Sequence, residues 1–183
     1  MIFLLWACSG ATPLDSASDS ATVDPGDGLD LLVASEIPQG EEPCREPELA
    51  TLESVVDGDT AWFTTTSGSE LVRFIGIDTP EVSWDSDPGE CYGEEASAQA
   101  RELLSGGRAW LSFDAECHDH YDRLLSYIHV GLEEKDFLQR SLLQDGFATA
   151  FAVEPNTYFR TIFSQDESLA EDAVIGLWEA CGR

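Results

Sequence analysis

The pattern of apolar and polar residues predicts a three-stranded meander in the first half of the chain. The apolar run Leu52–Val56 is followed by Asp57-Gly58, a pair typical of hairpin turns because both positions tolerate positive φ. A second strand, Ala61–Thr65, is rich in aromatic and β-branched residues. The segment Ser67-Gly68-Ser69 then reverses the chain into a third strand, Leu71–Ile77.

Beyond the meander, strand and helix patterns follow one another without a regular βαβ order. A fourth strand is expected at Ala109–Phe113 and a fifth at Leu124–Val130, followed later by an extended segment at Phe147–Val153. Helices are expected at Glu94–Leu104, Phe137–Asp145 and Tyr158–Ile175. The last helix carries an apolar stripe typical of core packing. Five strands with interspersed helices indicate an α+β fold and argue against a Rossmann-like sheet.

The N-terminal residues have a different composition from the rest of the chain. Residues 1–8 combine a short apolar run with Cys8 and are typical of the end of a bacterial lipoprotein signal, although a basic segment is missing. An uncleaved apolar N-terminus and an ordinary cleaved signal are the alternatives. Residues 9–43 lack Lys and Arg, have Leu29–Val33 as their only apolar cluster, and predict a flexible acidic tether. We therefore expect one domain over 44–183, exported and held at the cell envelope (outer membrane or cell surface) by lipid at Cys8, or else secreted.

The cysteine count agrees with export. Five cysteines is an odd number, and lipid on Cys8 leaves four that can pair fully. These four lack the short spacings of a zinc site, so two disulfides are expected in an oxidising compartment. Three connectivities are possible; we favour Cys91–Cys117, near candidate site residues, and Cys44–Cys181, which would tie the domain's two ends together. Free thiols in a cytosolic protein are the alternative.

Acidic and basic side chains gather at the ends of the predicted strands. Asp59 follows the first turn, while Asp78 and Glu81 follow the third strand, where a proline ends the ladder. Arg73 lies on the face opposite its apolar neighbours, and Arg123 follows an acidic loop before the fifth strand. Carboxylates suit a hard cation such as Ca²⁺, and a guanidinium can bind two phosphate oxygens. In isolation, the acids could equally be turn formers and the arginines surface ion pairs.

Five short blocks occur in an order and spacing that resemble the staphylococcal nuclease-like (thermonuclease) domain family. They are Val56–Thr60, Arg73–Glu81, Tyr92–Ser97, Asp119–Tyr127 and Gly176–Trp178. The resemblance covers residues 48–178, and it implies the five-stranded Greek-key β-barrel of the OB-fold with about three helices.

The resemblance also implies roles at the matching positions. Asp59 and Asp78 correspond to carboxylate ligands of Ca²⁺, with Thr79 offering its main-chain carbonyl. Glu81 corresponds to the residue that orients or deprotonates water, and Arg73 and Arg123 to the pair that stabilises the phosphate transition state. Further expectations are substrate contacts from Tyr121 and Phe151, and support of these side chains by Asp57 and Asp119. The implied protein is a Ca²⁺-dependent nuclease acting on DNA or RNA as a monomer and leaving 3′-phosphate ends.

Two departures weaken the expected affinity for nucleic acid. Asp122 stands where the family usually has glycine, and His120 where a lysine is common.

The formal net charge is −27; residues 1–43 hold eight acids and no bases, which leaves 28 acids against nine bases, or −19, for 44–183. Such a surface repels a polyanion, an effect that salt screens. A noncatalytic nuclease-like binding or interaction module at the cell surface is therefore the alternative.

Overall fold

A closed five-stranded barrel is the centre of this computed structural model, which describes residues 28–83 and 88–182. In chain order its strands are β1 (Glu48–Val55), β2 (Thr60–Thr65), β3 (Gly68–Phe74), β5 (Arg108–Ser112) and β6 (Leu124–His129); two short strands outside it are β4 (Gly76–Asp78) and β7 (Thr149–Phe151). Around the barrel the order is β1-β2-β3-β6-β5, and the pairs are antiparallel except β3 with β6. The prediction of an α+β fold on a five-stranded OB-type barrel is confirmed.

The predicted third strand, Leu71–Ile77, is two strands. The chain turns at Gly76, whose φ of 86° lies in a region that favours glycine. Beyond this turn, β4 leaves the barrel and pairs antiparallel with β7, Asp78 lying opposite Thr149. The break carries Asp78 out of the barrel and into a separate two-stranded sheet with β7.

Four α-helices accompany the barrel, α1 (Gly93–Leu103), α2 (Leu138–Gln144), α3 (Arg160–Ala173) and the short α4 (Leu177–Ala180). The first three lie within one or two residues of the predicted helices, whereas α4 was not predicted. Single 3-10 turns occur at Leu29–Leu31, Ala34–Glu36 and Glu134–Asp136. Among the described residues, every helix is too short or too polar to cross a bilayer.

The core fills the barrel and continues under α2 and α3. Its largest fully buried side chains are Tyr127, Phe63, Phe74, Phe113, Phe163, Ile77, Leu104, Leu111, Leu124, Ile128, Leu138 and Leu142. Val72 and Phe74 are fully buried while Arg73 between them is not, which is the alternation expected for β3.

Residues 28–43, assigned by composition to the tether, lie against the outside of β5. Leu29 and Ile37 are each 3% exposed and pack on Trp110, whose indole Nε1 donates to the Leu29 carbonyl (3.2 Å). The Ser112 hydroxyl donates to the Pro38 carbonyl (2.7 Å). Residues 28–43 are therefore packed against the barrel, because the apolar side chains of this segment are buried on the outer face of β5. Cys8 and residues 9–27 lie outside the described residues.

The two expected disulfides are present, but the favoured connectivity is wrong. The bonds are Cys44–Cys117 and Cys91–Cys181, not Cys91–Cys117 and Cys44–Cys181. Because β1 runs antiparallel to β5, the residues before β1 lie beside those after β5, and the Cys44 amide donates to the Asp114 carbonyl (2.7 Å). The C-terminal α4 instead meets the segment that leads into α1. Sequence spacing could not show either proximity.

Candidate active site

Arg73 joins the two carboxylates predicted to bind a cation. From β3 its guanidinium contacts Asp59 through Nη1, and its Nη2 lies 2.7 Å from Asp78 Oδ1. The same Nη2 donates to the Ile77 carbonyl (3.2 Å). Burial lowers the pKa of Arg73, and the charge of Asp78 opposes that shift. Since a guanidinium is charged at any physiological pH, the group remains a cation held between two acids.

The β1–β2 turn and the end of β4 are hydrogen-bonded to each other through Asp59. Asp59 is 3% exposed, and its Oδ2 accepts from the Thr79 amide (2.9 Å) while Oδ1 accepts from the Thr60 hydroxyl (3.0 Å). Asp57 Oδ1 in turn accepts from the Asp59 amide (3.0 Å). Asp57 is therefore hydrogen-bonded within the turn, and burial raises its pKa while the Arg73 charge lowers it.

Glu81 lies three residues beyond Asp78, on the segment that leaves β4. Glu81 is exposed, yet its pKa is raised, first by desolvation and then by the charge of Asp57, while Arg73 lowers it. A carboxylate whose pKa is raised is a better proton acceptor than an ordinary one. The structure thus places Glu81 within the electrostatic field of the Asp57, Arg73 and Asp78 group.

Arg123 is fixed by Asp119 on the loop before β6. Its Nε lies 2.7 Å from Asp119 Oδ2, and its amide donates to Asp119 Oδ1 (3.0 Å). The Tyr121 amide donates to the same oxygen (2.9 Å). Burial raises the pKa of Asp119, but these hydrogen bonds outweigh it and lower the pKa overall. Asp122, at the family's glycine position, has a φ of 65°, a conformation that Asp tolerates better than most residues. The loop therefore keeps its turn without glycine.

One cavity of about 440 Å³ brings both arginines to a common wall. Arg73 and Arg123 line it together with Asp119, and the exposed Phe151 of β7 lines it from the side of β4. The volume falls in the range of small-ligand sites, about 300–1,000 Å³. The arrangement offers two cations for an anion and an aromatic face beside them.

Tyr121 is the predicted substrate contact that the structure leaves outside the cavity. Its side chain is 70% exposed, its ring centroid lies 3.8 Å from that of His120, and the Arg123 guanidinium carbon lies 5.5 Å from it. His120 lines the cavity instead. A role for Tyr121 in holding substrate stays a prediction.

Several cavity residues carried no signal in the sequence. Glu116 and Asn156 lie 40 residues apart, yet the Glu116 amide donates to Asn156 Oδ1 (2.8 Å) and Asn156 Nδ2 donates to the Glu116 carbonyl (2.8 Å). Val153 and Glu154 complete this wall. Only the folded chain brings the segment after β7 to the loop after β5.

The barrel and this site define a class, the OB-fold domains in which two arginines line one cavity and one of them pairs with two acids. The chain belongs to the family of staphylococcal nuclease homologues, whose model matches residues 71–180.

Curated relatives agree with this assignment. The chain is 37% identical over 134 residues to the SPbeta prophage-derived endonuclease YokF of Bacillus subtilis (72% of this chain, 44% of that protein). It is 34% identical over 134 residues to endonuclease YncB of the same organism (72% and 62%). It is also 34% identical over 125 residues to a thermonuclease of Staphylococcus intermedius (68% and 73%). The match thus spans less than two thirds of either Bacillus protein.

Proposed function

We propose that this protein is a Ca²⁺-dependent nuclease that hydrolyses phosphodiester bonds of DNA or RNA and leaves 3′-phosphate ends. The observation that carries the proposal is that Arg73 and Arg123 line one cavity. Arg73 also forms ion pairs with Asp59 and Asp78. Relatives named as endonucleases and thermonuclease support the same reaction class.

The oxygen donors next to Arg73 are of the kind that a hard cation takes. Asp59 and Asp78 would supply carboxylate oxygens and Thr79 its main-chain carbonyl, the ligand types that Ca²⁺ takes. Within the described ranges, no three His, Cys, Asp or Glu side chains form a metal group by themselves, so water or substrate oxygens would supply the remaining ligands. When bound, the cation would supply Lewis-acid stabilisation of negative charge on a phosphate oxygen.

The side chains can then carry hydrolysis. Arg73 and Arg123 bind non-bridging oxygens of the scissile phosphate and stabilise the charge that grows as phosphorus becomes five-coordinate. Glu81 accepts a proton from the attacking water as the new oxygen–phosphorus bond forms. The bond from phosphorus to the 5′ oxygen breaks, and that oxygen takes up a proton. The products are a 3′-phosphate and a 5′-hydroxyl.

Binding of a polyanion relies on local attraction, because the net charge of the chain is −27. Arg123 is partly neutralised by Asp119, and Arg73 by two acids, so substrate phosphate competes with carboxylates for both guanidinium groups. Long-range repulsion is screened within about 8–10 Å near physiological salt. We therefore expect cleavage to increase from low to moderate salt, the reverse of the usual trend for basic nucleic-acid binders.

The test is cleavage of DNA and RNA, single- and double-stranded, by the full chain over a series of NaCl concentrations, with Ca²⁺ or with a chelator. The test variant is Glu81→Gln, and the matched control is Glu102→Gln on the exposed face of α1. Cleavage that needs Ca²⁺, is lost in Glu81→Gln and persists in the control supports the proposal, and end analysis should show 3′-phosphate. A folded, disulfide-intact chain that cleaves nothing at any salt would leave the noncatalytic binding module as the better interpretation.

We also propose that the protein is exported, lipid-anchored at Cys8 to the cell envelope, and monomeric. Two disulfides in the described part of the chain support an oxidising compartment. Metabolic labelling with a fatty-acid analogue, compared between the wild type and Cys8→Ala, tests the anchor. Size-exclusion chromatography with light scattering tests the oligomeric state.

A further inference from the structure

The segment before α1 folds back onto Glu81 and holds its backbone on both sides. The Glu90 amide donates to the Glu81 carbonyl (2.8 Å), and the Glu81 amide donates to Glu90 Oε2 (3.3 Å). Gly93 packs against the same carbonyl so closely that a Cβ added there would lie 2.2 Å from the Glu81 oxygen. The contacts that the described residues make here are with the Glu81 main chain, so they fix the point from which the Glu81 side chain extends.

A disulfide anchors this segment to the C-terminal helix. Cys91, next to Glu90, is bonded to Cys181 just after α4. The helix is itself fixed, because Leu177 is fully buried and its amide donates to the Gly146 carbonyl (2.8 Å). Tyr92 adds a stacked contact to Phe147, with 5.4 Å between ring centroids. A covalent and packed path therefore runs from the body of the domain to Glu81.

We propose that Glu90 is a positioning residue for Glu81 and that the Cys91–Cys181 disulfide holds Glu90 in place. The inference rests on the proposed function for its catalytic consequence, since Glu81 is the proton acceptor there. Rate depends steeply on the placement of such a group, and a displacement of about 1 Å can cost about 10²-fold. Substrate is bound by other side chains, so the effect belongs in kcat and not in KM.

The first experiment compares steady-state kinetics of four full-length variants. Glu90→Ala removes the acceptor for the Glu81 amide, whereas Glu90→Gln keeps an oxygen there. The double variant Cys91→Ala/Cys181→Ala removes the anchor, and Glu102→Ala removes an exposed acid of α1 without touching Glu81. We expect kcat to fall about tenfold in Glu90→Ala and in the double variant, with KM within about twofold of wild type. Glu90→Gln and Glu102→Ala should stay close to wild type.

The second experiment measures amide hydrogen exchange in the same proteins, which tests the same contacts independently of nuclease activity. The amides of Glu81 and Glu90 should exchange about tenfold faster in Glu90→Ala and in the double variant, while barrel amides such as that of Val72 keep their protection. Unchanged exchange at Glu81 and Glu90, or an unchanged kcat in an active wild-type background, would overturn the inference. A wild type without any nuclease activity would refute the proposed function. Amide hydrogen exchange at Glu81 and Glu90 would then still test whether Glu90 and the disulfide hold the Glu81 backbone.

Discussion

Replacing Gly93 by alanine should move Glu81 and slow the reaction. Gly93 is the first residue of α1, and a Cβ there would lie 2.2 Å from the Glu81 carbonyl oxygen, 2.7 Å from its carbonyl carbon and 3.0 Å from the Pro80 oxygen. Non-bonded heavy atoms reach their energy minimum at about 3.5–4.0 Å, so the two backbones must separate by about 1 Å. The contacts are with main chain and cannot be relieved by a side-chain rotation.

The expected magnitude follows from that displacement. A shift of about 1 Å in a catalytic group lowers kcat by about 10²-fold, and overpacking costs about 1–3 kcal/mol of unfolding free energy. The assay is the initial rate of DNA cleavage with saturating substrate and Ca²⁺, beside urea denaturation to verify folding. The matched control is Gly28→Ala, because an added Cβ there meets nothing within 4 Å and its φ is −73°. A folded Gly93→Ala protein with wild-type kcat would refute this account of how Glu81 is placed.

Three other predictions follow from single contacts. Arg73→Lys should lower kcat by about 10²–10³-fold in the cleavage assay, because an ammonium cannot reach both acids and the phosphate as the guanidinium does. Asp166→Ala should lower the free energy of unfolding in urea by about 3 kcal/mol, since Asp166 is 2% exposed and pairs with Arg140 through two hydrogen bonds of 2.7 and 2.9 Å. Burial lowers the pKa of His129 to about 4. As the pH is lowered, this histidine therefore becomes protonated in the unfolded state before it does so in the folded state. The free energy of unfolding should fall between about pH 6.5 and pH 4, on the order of 3 kcal/mol in total.

Each of these has its own control. For Asp166 it is Glu171→Ala on the exposed side of α3, which should change stability by less than about 0.5 kcal/mol. For His129 it is a His129→Gln variant followed over the same pH range, since the acids titrate alike in both proteins and the difference isolates the histidine. An equal acid sensitivity in the two proteins would show that burial of His129 has no such effect. Arg73→Lys with an unchanged kcat would show that the fork geometry of the guanidinium is not needed.

Local patterns in the sequence predicted most of the elements because their causes are local. The Asp57-Gly58 turn and the alternation around Arg73 each depend on a few neighbouring residues, and both occur in the structure. The apolar stripe expected for α3 is buried at Phe163 and Ala170, whereas Val174 at its end is exposed. The break at Gly76 was missed, because an apolar strand pattern continues through it and only pairing of β4 with β7 shows the turn. The packing of residues 28–43 on β5 was missed because composition does not show which surface an apolar cluster can cover.

The sequence by itself determined the residue types of the site and their order, and its periodicity predicted most of the strands and helices. The barrel class came from the resemblance of five short motifs to a known family. Tertiary structure alone decided what those residues touch. It joined Arg73 to two acids, clamped Arg123 with Asp119, and paired Cys91 with Cys181 rather than with Cys117. Contacts between residues tens of positions apart depend on strand register and helix packing over the whole barrel, and no local pattern contains that information.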